Sequence, residues 1–230
     1  MCGRFDLTQN PAVIALQFAL GMVPEWTPRY NIAPTQRGLI VRQDSTAGRV
    51  TTSYRWGLVP GWAKDPSIGN RLINARGDTV AEKPAFRSAF KRWRCLVPVT
   101  GFYEWKVIPG ARSKQPYRIV PANDPLFAFA GLTERWEGPE GPLQTFCIVT
   151  TDANDLMRPI HDRMPAIIAP ADYDRWLDPA NTDTAELKQM IRPYPADQMR
   201  AYAVSTRVNN VRNDDPSLIE PLPESRKEGA

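Results

Sequence analysis

Apolar residues in this chain recur mostly at every second position or in short unbroken runs, and only in a few stretches at helical spacing. The first habit predicts strands and the second predicts helices. Strands are expected over residues 2–6, over Leu39–Arg42 and Val50–Trp56 around a turn at Asp44–Gly48, and over Cys95–Val99 and Gly101–Val107. Three more are expected at Tyr117–Val120, Leu126–Trp136 and Gln144–Thr151, with a short buried one at Ala166–Ala169 and a last one at Ala201–Val204. Thr8 to Leu20 predicts a helix, with Val13, Leu16, Gln17 and Leu20 near helical spacing and Gly21 as a stop. Two short helices are expected over 75–83 and 84–91, a helical turn over Asp152–Met157, and helices over Asp172–Leu177 and Thr184–Ile191. Residues 24–37 and 57–70, punctuated by Pro and Gly, predict loops. Many strands with scattered helices and no internal repeat imply an α+β fold. It is expected to be one domain over 1–223, a curved antiparallel sheet or partly closed barrel with peripheral short helices. The charged tail 224–230 is expected to be disordered.

Composition narrows the function classes. A hydrophobic content of 42% over 230 residues is enough for one substantial core. Lys+Arg 29 against Asp+Glu 25 gives a net charge of +4, which permits a nucleic-acid partner without demanding one. The three cysteines, Cys2, Cys95 and Cys147, are odd in number and far apart, so a reducing compartment fits better than a disulfide framework. No apolar run approaches a membrane span, and no charged and apolar leader opens the chain, so a cytoplasmic protein is expected. One histidine and three distant cysteines provide no metal spacing, and there is no Gly-rich phosphate loop and no GxSxG elbow. No cofactor is expected.

The chemistry that remains is concentrated in a few residues. N-terminal processing trims Met when a small residue follows, so the mature chain is expected to begin at Cys2. Its α-amine and thiol have reference pKa values of about 7.7–8.0 and 8.5. Such a pair adds twice to one aldehyde, first as an imine and then as a five-membered thiazolidine; the bland alternative is a small residue at a frayed end. His161, the lone histidine, sits between Arg158 and Arg163 in a proline-bounded segment and is either structural or a general acid. Glu104 lies in Gly101-Phe102-Tyr103-Glu104-Trp105, where a period of two puts it on the face of Phe102. There it is either a carboxyl with a raised pKa or an edge residue in water. Asn74, ahead of Ala75-Arg76, is either a helix N-cap or an amide that fixes a substrate. Arg71, Arg76, Lys83, Arg87, Lys91, Arg92 and Arg94 interleave with Phe86, Phe90 and Trp93, a pattern shared by single-strand binders and by solvated faces over a core.

Taken together, these pieces resemble the SRAP family of abasic-site-processing proteins. The matching segments are Met1-Cys2-Gly3-Arg4-Phe5, Tyr30-Asn31-Ile32-Ala33-Pro34, Trp56-Gly57-Leu58-Val59-Pro60 with Trp62, Asn74-Ala75-Arg76, Gly101 to Trp105, His161-Asp162-Arg163-Met164-Pro165 and Val208-Asn209. The resemblance implies a covalent crosslink to abasic sites in single-stranded DNA, often near a junction with duplex; the protein is expected to be a monomer. It places the nucleophile on Cys2, a positioning amide on Asn74, an acid-base carboxylate on Glu104 and the family's histidine on His161. It puts phosphate contacts on Arg4, Arg76 and Arg163, and Trp62 would block the continuing helix. It also implies peptidase-like removal of Met1 and weak lyase activity. The chain departs from the family at Gly77-Asp78, which reads as variation at a helix start. Two rival readings remain: a cysteine hydrolase with Cys2 as N-terminal nucleophile, and a non-catalytic single-strand-binding module.

Overall fold

A computed structural model describes residues 2–223, so the tail from Glu224 lies outside the described residues. In chain order the strands are β1 (Phe5–Leu7), β2 (Arg29–Ile32), β3 (Arg37–Asp44), β4 (Gly48–Trp56), β5 (Asn74–Arg76), β6 (Arg94–Val99), β7 (Gly101–Lys106), β8 (Gln115–Pro121), β9 (Phe127–Gly138), β10 (Gly141–Asp152), β11 (Arg163–Pro165) and β12 (Met199–Ala203). The helices are α1 (Pro11–Gln17), α2 (Arg87–Arg92), α3 (Tyr173–Leu177) and α4 (Thr184–Gln189). One sheet runs β12-β8-β7-β1-β2. The other runs β11-β10-β4-β3-β6-β9, and β9 pairs back onto β10, so five strands close into a barrel. Closure leaves those strands no open edge, and the expected α+β barrel architecture is present. β4 and β5 both pair with β10 in parallel, one after the other.

Alternation explains how the two sheets meet. Phe5 on β1 and Phe102 on β7 point from the five-stranded sheet into the barrel layer. Phe5 lies 5.1 Å from Trp56 and Phe102 lies 5.5 Å from Phe129, ring centre to ring centre. Each buried aromatic of this kind stabilises the fold by about 1.5–3 kcal/mol. The opposite face of β7 carries Tyr103, which packs against Val204, Val208 and Leu218 of the C-terminal segment. At the start of β7, Arg118 of β8 grips the fully buried Asp6 of β1 through two hydrogen bonds of 2.8 and 2.9 Å. Burial alone would lower the Arg118 pKa, but the Asp6 carboxylate beside it outweighs that and holds it up.

Several expected elements differ. The helix near the N-terminus is shorter than Thr8–Leu20: Asn10 caps it, Pro11 opens it, and Ile14 and Phe18 are the residues it buries, while Leu16 faces solvent. The proline-rich loop 24–37 contains β2, whose Tyr30 and Asn31 N–H groups both donate to the Asp214 carboxylate. Residues 75–83 are no helix, because Asn74–Arg76 pairs with β10 and turns follow it. Gly77 is required there for close packing, since a Cβ would stand 2.4 Å from Ile191 Cγ2, so Gly77-Asp78 is not a helix start. The Ala166–Ala169 segment makes one bridge, Ile167 to Phe129, and the regular pairing lies upstream in β11. Phe86 and Phe90 are core residues and leave the basic stretch without two of its aromatics. Among the described residues no helix is long and apolar enough to cross a membrane.

Candidate functional site

The site is assembled at the C-terminal end of β10. One edge of that strand carries β5, with Asn74 beside Ile148 and Arg76 beside Thr150. The other edge carries β11, with Arg163 beside Asp152. The N-terminal segment reaches the same place along β7. Phe5 pairs with Phe102, and the Tyr103 N–H donates to the Arg4 carbonyl at 3.0 Å, so the first residues run antiparallel toward Glu104. Asn74 Nδ2 then donates to the Cys2 carbonyl at 2.7 Å. That bond fixes the amide's orientation, and the buried Oδ1 has no hydrogen-bond partner among the described residues.

Cys2 is fully buried. Burial pushes its thiol far up, and the nearby Glu104 carboxylate adds to the shift. Glu104 is 3% exposed, and burial raises its pKa against the opposing pull of the His161 charge. Glu104 thus lies within electrostatic reach of both Cys2 and His161. The Glu104 carboxyl therefore stands on the Phe102 side of β7, as alternation predicts, and is not an edge residue in water.

His161 follows a turn capped by Asn154, whose Oδ1 accepts from the Met157 N–H at 2.9 Å. The His161 N–H donates to the Met157 carbonyl at 2.8 Å. On the ring, Nδ1 accepts from the Arg163 N–H at 3.0 Å and also lies 2.8 Å from the Asp162 carboxylate. The first contact suits the neutral ring, with its proton on Nε2. The second suits the imidazolium, whose Nδ1–H donates to Asp162. The Arg163 N–H and the Asp162 carboxylate thus both lie on the Nδ1 side of the ring.

The arginines divide. Arg76 is exposed and its guanidinium grips Asp78, its Nη2 at 2.6 Å. Arg163 is turned into the protein, with Nη1 on Asp152 at 2.6 Å and Nη2 on the Thr150 carbonyl at 2.8 Å, where it ties β11 to β10. Arg4 is half-buried; its Nη1 donates to Asn31 Oδ1 and to the Val208 carbonyl, both at 2.7 Å, and Trp105 lies under its guanidinium. Trp62 is exposed on the 57–70 loop. That loop is pinned where Gly57, at φ +123°, passes so close to Gly69 that a Cβ would meet its carbonyl oxygen at 2.5 Å. Asn31 has a part that its motif did not reveal. It is fully buried, and its Nδ2 donates to the carbonyls of Val208, Asn210 and Asn213 while its Oδ1 receives Arg4. Its partners lie some 180 positions away in sequence, so no local pattern announces them.

No group of three or more His, Cys, Asp or Glu among the described residues is placed to hold a metal ion. The three cysteines are free and buried. The family model for SOS response associated peptidase (SRAP) matches residues 1–211. The chain belongs to the SRAP family. The abasic site processing protein YoqW of Bacillus subtilis is 46% identical over 224 residues, covering 96% of this chain and 99% of that protein. The abasic site processing protein HMCES of Gallus gallus is 37% identical, covering 86% of this chain and 69% of that protein. A crystal structure of a protein from Bacteroides thetaiotaomicron superposes with a TM-score of 0.85 at 28% identity, over 96% of this chain and all of that one. The SRAP match begins at the first residue and spans all the segments named above, from the N-terminal cysteine through Val208-Asn209.

Proposed function

We propose that this SRAP protein processes abasic sites in DNA by covalent capture at Cys2. The observation that carries the reading is the Asn74 contact to the Cys2 carbonyl, beside a buried Glu104 that feels His161. The names of its relatives support the lesion; the chemistry is argued from the residues. Hydrolysis of the Met1–Cys2 peptide bond consumes one water and frees the α-amine. The amine adds to the C1′ aldehyde of the opened sugar and loses water, giving an imine. The sulfur then adds to the imine carbon, its proton ends on nitrogen, and a thiazolidine closes. Because burial keeps the thiol neutral, nitrogen attacks first and sulfur second.

Glu104 takes the proton from the amine and shuttles protons at the sugar, a task suited to a carboxyl with a raised pKa. His161 protonates the sugar ring oxygen or the departing hydroxyl. Asn74 holds the Cys2 backbone with its NH2 and offers Oδ1 to the ring nitrogen of the adduct. Arg4 and Arg76 anchor the flanking phosphates, Arg163 adds positive charge from within, and Trp62 blocks a continuing duplex. The imine also allows slow strand cleavage by β-elimination, which ring closure suppresses. The substrate is single-stranded DNA, near junctions with duplex, met by a monomer in the cytoplasm at the nucleoid.

Mixing the protein with single-stranded DNA that holds one abasic site tests this. The expected product is a shifted band that survives SDS and heat, that Cys2→Ala abolishes and that Cys2→Ser reduces to a reversible imine. Peptide cleavage in trans with indifference to the lesion would point to a hydrolase instead.

A further inference from the structure

Resting on that reading, we propose that the groove beside α2 is a second nucleic-acid subsite. It takes single-stranded DNA that flanks the lesion, with a base stacked on Trp93 and phosphates on the basic face of α2. The groove has a volume of about 540 Å³, and its lining includes Arg42, Tyr54, Arg92, Trp93, Glu134 and Arg135. It lies at the far end of β10 from the crosslinking site. From Gln144 at the groove to Thr150 beside Arg76 is roughly 20 Å at about 3.3 Å per residue. A strand crosslinked at Cys2 reaches that distance within a few nucleotides.

Three independent observations point to a polyanion with flat bases. Trp93 is 56% exposed although its backbone is fixed, because its carbonyl accepts from both the N–H and the hydroxyl of Thr133, at 2.7 and 3.1 Å. A rigidly mounted, exposed indole is a stacking platform. Its mount is stiffened by Arg94, which is buried and donates to the carbonyls of Phe90, Lys91, Trp176, Asp178 and Asn181. Second, Lys83, Arg87, Lys91 and Arg92 all face solvent, and none of them forms an ion pair among the described residues. The groove's own Arg42 and Arg135 are instead matched by Asp44 and Glu137. A row of uncompensated cations ending at an aromatic face is the footprint of a phosphate backbone. Third, the 57–70 loop borders the groove: Gly61 lies beside the Arg135 backbone and the Glu134 side chain, and the Trp136 indole donates to the Ala63 carbonyl at 2.7 Å, so this loop and the Trp93 mount meet the same stretch of β9. An acidic peptide would use the cations but has no need of the exposed Trp93 indole beside them.

The test compares two abasic single strands, one ending within a few nucleotides of the lesion and one extending roughly ten nucleotides further on either side. The half-saturating concentration for crosslinking is measured for wild type, Trp93→Ala and the surface reversal Lys91→Glu with Arg92→Glu. Wild type is expected to prefer the long strand. Trp93→Ala should weaken the long strand by about five-fold or more, the lower end of one base-aromatic stack, and leave the short strand and the rate at saturation unchanged. The double reversal should also flatten the salt dependence, by about 0.7 in log–log slope for each phosphate that is no longer neutralised. Equal use of both strands by wild type, or equal weakening on both strands in the variants, overturns the subsite. So does displacement of the long strand by polyglutamate more readily than by lesion-free single strand. If no abasic DNA crosslinks at all, the capture reading fails by itself, and Trp93-dependent binding of lesion-free long strands still decides the groove.

Discussion

Replacing Asn31 with Ala should damage stability and capture together, and its magnitude follows from its bonds. The side chain is fully buried and closes the C-terminal segment onto β2. Its NH2 has two hydrogens for three carbonyls, at 2.7, 3.1 and 3.3 Å, so it contributes about two neutral hydrogen bonds of ~1 kcal/mol each. Its Oδ1 accepts from the Arg4 guanidinium at 2.7 Å, a charge-assisted bond of about 1.5–3 kcal/mol. The expected cost of Asn31→Ala is therefore about 3–5 kcal/mol. For a chain of this size each kcal/mol lowers Tm by about 2–4 °C, so the variant should melt roughly 10 °C below wild type. Thermal unfolding followed by circular dichroism reads the shift. Crosslinking assayed well below the variant's Tm should also be slower at subsaturating DNA, because Arg4 loses the partner that aims it. A variant within about 0.5 kcal/mol of wild type would refute the reasoning, since that is the size expected of a surface position.

Burial raises the folded-state pKa of Glu104 above its unfolded value, so its contribution to stability is present in acid and is lost as pH rises through the folded pKa. Glu104→Gln should thus melt higher than wild type at neutral and alkaline pH, the advantage should vanish in acid, and crosslinking should be slower throughout; an advantage that grew in acid would reverse the assignment. Arg118→Leu leaves the buried Asp6 carboxylate unpaired and should cost about 3–5 kcal/mol in denaturant unfolding, whereas the double change with Asp6→Leu should recover most of it. Gly57→Ala forces a Cβ into the Gly69 carbonyl at positive φ and should destabilise by about 1–3 kcal/mol, read as a lower denaturation midpoint with an unchanged slope.

The barrel was legible because its strands alternate and its turns are marked. β3, β4, β6, β7, β9 and β10 fall where the pattern puts them, and the face of Glu104 follows from the period of two alone. What escaped was structure held by distant partners. β2 hides among prolines because two of its N–H groups go to the Asp214 carboxylate. β5 reads as a helix start because Asn74 is a good cap, and only the parallel pairing with β10, more than seventy positions on, makes it a strand. In α1 the apolar residues outnumber the buried positions, so periodicity chose Leu16, which is exposed, over Ile14 and Phe18. The residues expected to carry the chemistry could be named in sequence as candidates, but the bond between Asn74 and Cys2 and the inward turn of Arg163 depend on how β10 gathers its neighbours.

The most direct measurement is the intact mass of the protein before and after incubation with a single-stranded oligonucleotide that carries one abasic site. The account predicts a protein lacking Met1, then an adduct equal to protein plus oligonucleotide minus one water, resistant to denaturation and absent from Cys2→Ala. Retention of Met1, or no adduct under conditions where the DNA is bound, would contradict it.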